Sequence, residues 1–198
     1  WETNYGGTGE DYFGNIRATS DGGFILGAFS TSAASGNKAS GNYGGFDYWL
    51  IKLDAHGSKQ WERVYGGSND ETLQDIQPSP DGGYLLGGYS KSGVSGNKTT
   101  SNYGGNDYWV IKLDNNGNKL WETDCGGIND EYLNSVQSTF DGGCLLSGWS
   151  NSGMSGNKTS GNYGGYDWWL VKLDAAGNKV WEANYGGTGD EQAFVMQV

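Results

Sequence analysis

The chain is poor in the residues that most often carry chemistry. Its 198 residues include one histidine, two cysteines and two prolines. The histidine, His56, falls in a hairpin turn where the other repeat units carry Asn116 and Ala176, which marks it as a solvated turn residue. No Ser-His-Asp or Cys-His set assembles and no Cys/His cluster has zinc spacing. No catalytic residue is therefore assigned, and the chain reads as a non-enzyme. Lys and Arg total 12 against 23 acids, a formal net charge of −11. Nucleic acid needs a clustered basic surface, so DNA and RNA are not expected partners. No apolar run approaches the length of a membrane span, so no membrane insertion is expected. No long segment repeats every 3.6 residues, so helices should be few. The cysteines, Cys125 and Cys144, each stand where other units have an aromatic. Two buried apolar thiols is one account of them; a disulfide between facing slots is the other.

Glycine is abundant, at 37 residues, and aromatics reach 14%, with nine Trp and thirteen Tyr. Disordered chains lack aromatics, so this composition points to a folded, turn-rich β protein. Its order is plain in one motif. Trp61-Glu62-x-x-Tyr65-Gly66-Gly67 returns as Trp121-Glu122-x-x-Cys125-Gly126-Gly127 and as Trp181-Glu182-x-x-Tyr185-Gly186-Gly187, and Trp1 starts another copy. The spacing is sixty residues each time, the mark of one supersecondary unit in an array.

Within the second unit four strands are predicted, over residues 71–79, 84–90, 107–113 and 119–125. Asp81-Gly82-Gly83 and Asp114-Asn115-Asn116-Gly117 are tight turns, and residues 91–106 form a long polar loop. The middle strands are apolar on both faces. Four antiparallel strands packed on both sides describe a β-propeller blade; a β-solenoid, with shorter coils and no tight hairpin, ranks below it. The expected fold is therefore all-β, a propeller-type array of four-stranded antiparallel blades. Blades should occupy 10–69, 70–129 and 130–189. Residues 1–9 should be the fourth strand of a preceding blade, and 190–198 the first strand of a following one. Three blades do not normally close a ring, so a fragment of a larger ring is expected, closed by further blades of the same chain or by a homo-oligomer.

The run from Asp81-Gly82-Gly83-Tyr84 through Ser95-Gly96-Asn97-Lys98 to Gly104-Gly105-Asn106-Asp107-Tyr108-Trp109 and Lys112-Leu113-Asp114 resembles repeats in secreted and cell-surface bacterial proteins, common in Bacteroidetes-type proteins with a C-terminal sorting domain. The resemblance covers the whole chain. It implies a non-catalytic β-propeller, located outside the cell or on its surface, with no ligand specified. The turn from Leu113 to Trp121 also resembles the quinoprotein propeller motif, which implies only a structural role: Trp61, Trp121 and Trp181 as staples between blades.

Two loop types are candidate sites. In a four-stranded blade the connections from strand two to three and from strand four to one share a face of the ring, and here both are long. The repeated loop offers Asn37, Lys38, Asn42 and Tyr43 in the first unit. The second offers Asn97, Lys98, Asn102 and Tyr103, and the third Asn157, Lys158, Asn162 and Tyr163. Amides, a cation and an aromatic ring suit a sugar, so a glycan or a cell-surface protein is the expected ligand. The plainer account is that Asn and Gly shape turns, Lys is solvated and Tyr packs the loop. Asp11, Asp70, Asp130 and Asp190 are candidate metal ligands, with calcium the cofactor they would suit; alternatively they cap backbone N–H groups. Neighbouring carboxylates recur as Glu10-Asp11, Asp70-Glu71, Asp130-Glu131 and Asp190-Glu191, but adjacent strand residues point to opposite faces. A recognition or adhesion module is thus the first expectation, a structural spacer the second, and a polysaccharide-active enzyme a distant third.

Overall fold

A computed structural model describes residues 1–191 and contains twelve strands and no helix among them. In chain order they are β1 (Asp11–Ala18), β2 (Phe24–Ser30), β3 (Asp47–Leu53), β4 (Lys59–Tyr65), β5 (Glu71–Pro78), β6 (Tyr84–Ser90), β7 (Asp107–Leu113), β8 (Lys119–Cys125), β9 (Glu131–Ser138), β10 (Cys144–Ser150), β11 (Asp167–Leu173) and β12 (Lys179–Tyr185). They form three separate four-stranded antiparallel sheets, each in chain order. This is the expected all-β, propeller-type array. Turn chemistry sets each hairpin: the Asp-x-x-Gly turns place Gly57, Gly117 and Gly177 at positive φ, where a side chain would be strained.

Burial rises toward the middle strands. All of β3 and β7 is buried, whereas the fourth strands are half exposed. The first strands converge: β5 packs on β1 on one side and on β9 on the other, and it also reaches β2 and β3. The cores lie between sheets rather than within them. One joins Ile25, Tyr48, Leu50 and Tyr65 of the first sheet to Leu73, Ile76, Leu86, Trp109 and Ile111 of the second. The next joins Leu85, Tyr108, Val110 and Cys125 to Leu133, Val136, Leu146 and Trp169 of the third. Close approach is built in at Gly87, where an added methyl would lie 2.8 Å from the Leu133 side chain. Hydrogen bonds cross the same gaps: Tyr48 donates to the Trp109 carbonyl and Tyr108 to the Trp169 carbonyl, each at 3.2 Å.

Residues 1–9, expected as the fourth strand of a preceding blade, carry no strand. A strand needs a ladder partner, and no third strand lies beside them among the described residues. Trp1 nevertheless occupies the slot of its counterparts, packing on Phe24 with ring centroids 6.1 Å apart. The strand expected over 190–198 falls mostly outside the described residues. Cys125 and Cys144 are both buried and unbonded. Burial raises both thiols, that of Cys144 to about 12. They are core side chains, not a staple.

Because the cores lie between sheets, one repeat position has opposite values in different units. Leu73 is 1% exposed, while its counterpart Phe13 is 63% exposed. Leu73→Ala should therefore cost about 2–5 kcal/mol in urea unfolding, and Phe13→Ala within about 0.5 kcal/mol. Equal losses at the two positions would contradict this packing.

Candidate functional site

The repeated loop residues hold the sheets together. Asn97 accepts from Gly66 N at 2.9 Å and donates to the Val64 carbonyl at 2.8 Å, so it ties the second sheet's loop to the end of the first sheet. Asn157 does the same with Gly126 and the Asp124 carbonyl, and Asn37 with Gly6 and Asn4. Asn42, Asn102 and Asn162 each donate to one carbonyl of their own loop and to the carbonyl that ends the second strand (Ser30, Ser90 or Ser150), and accept the backbone N–H two residues on. No amide among these six is left free for a sugar hydroxyl.

Lys38, Lys98 and Lys158 overturn the expectation of a solvent-facing cation, because all three are buried. Each ammonium sits 5.5 Å from the ring centroid of Trp49, Trp109 or Trp169. Lys38 donates to the carbonyls of Ser32, Ser40 and Gly41, and Lys158 to those of Ser160 and Gly161. Lys98 is held by Thr100 and by Asp124 at 2.7 Å. Desolvation lowers the pKa of Lys38 and Lys158. A buried ammonium needs such acceptors, and here it organises the loop. Tyr43, Tyr103 and Tyr163 keep 48%, 40% and 62% of their surface. Tyr43 and Tyr103 lie against Gly96 and Gly156 of the following unit and meet Asn97 and Asn157 at 3.4 Å, so they too bridge sheets.

The candidate metal ligands are similarly committed. Oδ1 of Asp70, Asp130 and Asp190 accepts from the backbone N–H of Phe46, Asn106 and Tyr166 respectively. Asp11 accepts from Ser30, Ser32 and Gly7. No group of three His, Cys, Asp or Glu side chains converges among the described residues. The neighbouring carboxylates diverge as well: Asp70 is exposed and Glu71 fully buried.

The tryptophans pack as the repeat suggests. Trp61 meets Gly117 in the next unit's hairpin and packs on Tyr84. Trp121 meets Gly177 and donates to the Ala175 carbonyl at 3.1 Å. Trp181 has no such partner sheet among the described residues and is 46% exposed.

The junctions also contain buried acid pairs that the spacing did not reveal. Asp47 and Glu71 come from different sheets and meet across Gly66, where a methyl would lie 1.8 Å from Asp47 Oδ1 and 2.8 Å from Glu71 Oε2. Asp107 and Glu131 meet the same way across Gly126. Asp47 accepts from Tyr43 N through Oδ2, and Glu71 accepts from Gly67 N and Ser90 Oγ. Asp47 Oδ1 has no donor, so a proton shared with Glu71 satisfies both.

A different set of residues on the same loop face surrounds a concavity. A cleft of about 550 Å³ between the first and second sheets is lined by Tyr12, Phe29 and Phe46 on one side and by Asp70, Thr72, Gln74, Tyr89 and Lys91 on the other. Tyr12 and Phe29 face each other across β1 and β2 with ring centroids 5.3 Å apart, and Phe46 lies within 5.6 Å of both. The aromatic surface continues onto the third sheet, where Tyr132 packs on Tyr89, Trp149 and Tyr166. These positions differ between units: Tyr12, Thr72, Tyr132; Phe29, Tyr89, Trp149; Phe46, Asn106, Tyr166. Variation also occurs on exposed turns, as at His56, Asn116 and Ala176, between aliphatic core residues, as at Ile51, Ile111 and Val171, and within strands, as at Tyr65, Cys125 and Tyr185 or Val64, Asp124 and Asn184. On this face it exchanges aromatic for polar side chains around the cleft, Tyr12 and Phe46 corresponding to Thr72 and Asn106. They are not shared by all units, so the sixty-residue repeat does not mark them.

No protein-family model matches the chain, and no curated protein sequence matches it.

The acid pairs generate a pH dependence. Burial, reinforced by the facing glutamate, raises Asp47 to about 7 and Asp107 to about 8. An unfolded aspartate titrates near pH ~3.9. Folding therefore takes up protons between those values, and stability falls as pH rises from about 4 to about 8. The double variant Asp47→Asn, Asp107→Asn should flatten this slope in urea midpoints measured across that range. A slope equal to that of the unaltered protein would contradict the shared protons.

Proposed function

We propose that this protein is a non-catalytic recognition module that acts outside the cell or on its surface. Its ligand is a glycan or a cell-surface protein. The observation that carries the reading is the aromatic cleft on the loop face, built from side chains that change from unit to unit while the framework around them repeats. Fixed scaffolds with variable concave surfaces are suited to binding. The location rests on the resemblance of the repeats to secreted and surface proteins.

A structural spacer is the second reading. It is favoured by the loop amides Asn97 and Asn157, which tie neighbouring sheets, and by the buried lysines, which organise their own loops. In either case the exposed Phe13 and Ile16 at one end of the array, and Trp181 and Tyr185 at the other, suit further blades of the same kind or a second copy.

Purified protein applied to a panel of immobilised polysaccharides and surface glycoproteins should bind at least one saturably and release no hydrolysis products. Absence of binding across the panel would leave the spacer reading in its place, and product release would make the protein an enzyme.

A further inference from the structure

We infer that the cleft between the first and second sheets is a subsite for a neutral oligosaccharide. This rests on the recognition reading and adds its ligand class and position. Three features of the cleft point the same way.

The first is its aromatic floor. Tyr12 is 49% exposed although its ring is stacked on Phe29, and Phe46 closes the group at 5.6 Å. The counterpart Tyr132 is covered by Tyr89 and Asn106 of the preceding sheet, a cover that Tyr12 lacks among the described residues. Tyr12 instead offers an apolar surface of the size of a pyranose face, whose axial C–H groups pack on π-systems.

The second is the set of polar groups beside that floor. The Gln74 carboxamide, the Thr72 hydroxyl and the Lys91 ammonium have no intramolecular hydrogen bond among the described residues. Asp70 spends one carboxylate oxygen on Phe46 N and leaves the other open. Together they provide donors and acceptors within one concavity, as ring hydroxyls need, since each hydroxyl both donates and accepts. A cleft of about 550 Å³ lies within the range of small-ligand sites, about 300–1,000 Å³.

The third is charge. Glu10 and Asp70 line the cleft against the single cation Lys91, on a chain of net charge −11. Uronic or sulfated glycans would meet like charge there, whereas a neutral chain would not. The second sheet carries Thr72, Tyr89 and Asn106 where the first has three aromatics, so the platform is asymmetric and a chain would bind in one direction.

The test titrates neutral hexasaccharides of glucose, mannose and N-acetylglucosamine, with a uronic acid hexasaccharide as control, using calorimetry and tyrosine fluorescence. At least one neutral probe should bind, and the uronic probe should bind more weakly. Tyr12→Ala and Gln74→Ala should each weaken the neutral probe by about ten-fold with the melting temperature nearly unchanged, because loss of a well-placed aromatic or polar contact is worth about that factor. Tyr43→Ala, on the same face but outside the cleft, should retain affinity. Should Tyr12→Ala unfold, Gln74→Ala and saturation-transfer NMR on the unaltered protein serve in its place. Saccharide binding unaffected by the cleft variants would overturn the subsite while leaving recognition intact. Tighter binding of the uronic probe, no saccharide binding at all, or a protein ligand displaced by the cleft variants would overturn the saccharide assignment.

Discussion

A sheet of four strands that is apolar on both faces cannot stand alone in water. Everything in this structure follows from that constraint. The fully buried β3 and β7 require cover on each side, so each sheet is the other half of its neighbour's core. Such cover demands that neighbouring backbones approach closely, and the Gly-Gly connections and Gly87 permit it. It also demands that polar groups at the junction be satisfied without water. The buried Asp–Glu pairs and the bridging asparagines meet that demand with groups drawn from adjacent units, and the lysines lodged over tryptophan meet it within their own unit.

Repetition and function separate on this account. Every junction poses the same packing problem, so its solution recurs at a sixty-residue spacing with no insertion. A ligand poses no such recurring problem. Side chains freed from packing differ from unit to unit, and they gather where β1, β5 and β9 converge with the loop face. The repeated amides and lysines are taken up by hydrogen bonds, as at Asn97 and Lys98, whereas the side chains of Thr72, Gln74 and Lys91 beside the cleft's aromatics have none among the described residues. That contrast is the reason to assign recognition to the cleft and stabilisation to the repeated loop.

The fold was legible because its signals are local and repeated. Turn residues delimit the strands, and strands predicted at 84–90, 107–113 and 119–125 occur at those residues. The loop face followed from topology alone. The site did not, because residue type does not reveal what a side chain already touches. Lys98 reads as a surface cation until Asp124 and Trp109 are placed around it. Asn97 reads as a free amide until its bonds to Gly66 and Val64, more than thirty residues away, are known. Asp47 and Glu71 are 24 positions apart, and only the packing of two sheets makes them one titrating pair.

The central claim is that the varying aromatic face, and not the repeated loop, meets the ligand. Mapping chemical-shift changes on the isotope-labelled protein with a bound neutral hexasaccharide tests it most directly. The account predicts that the largest shifts fall on Tyr12, Phe29, Phe46 and Gln74. Shifts centred instead on Asn97, Tyr43 and Tyr103 would contradict it.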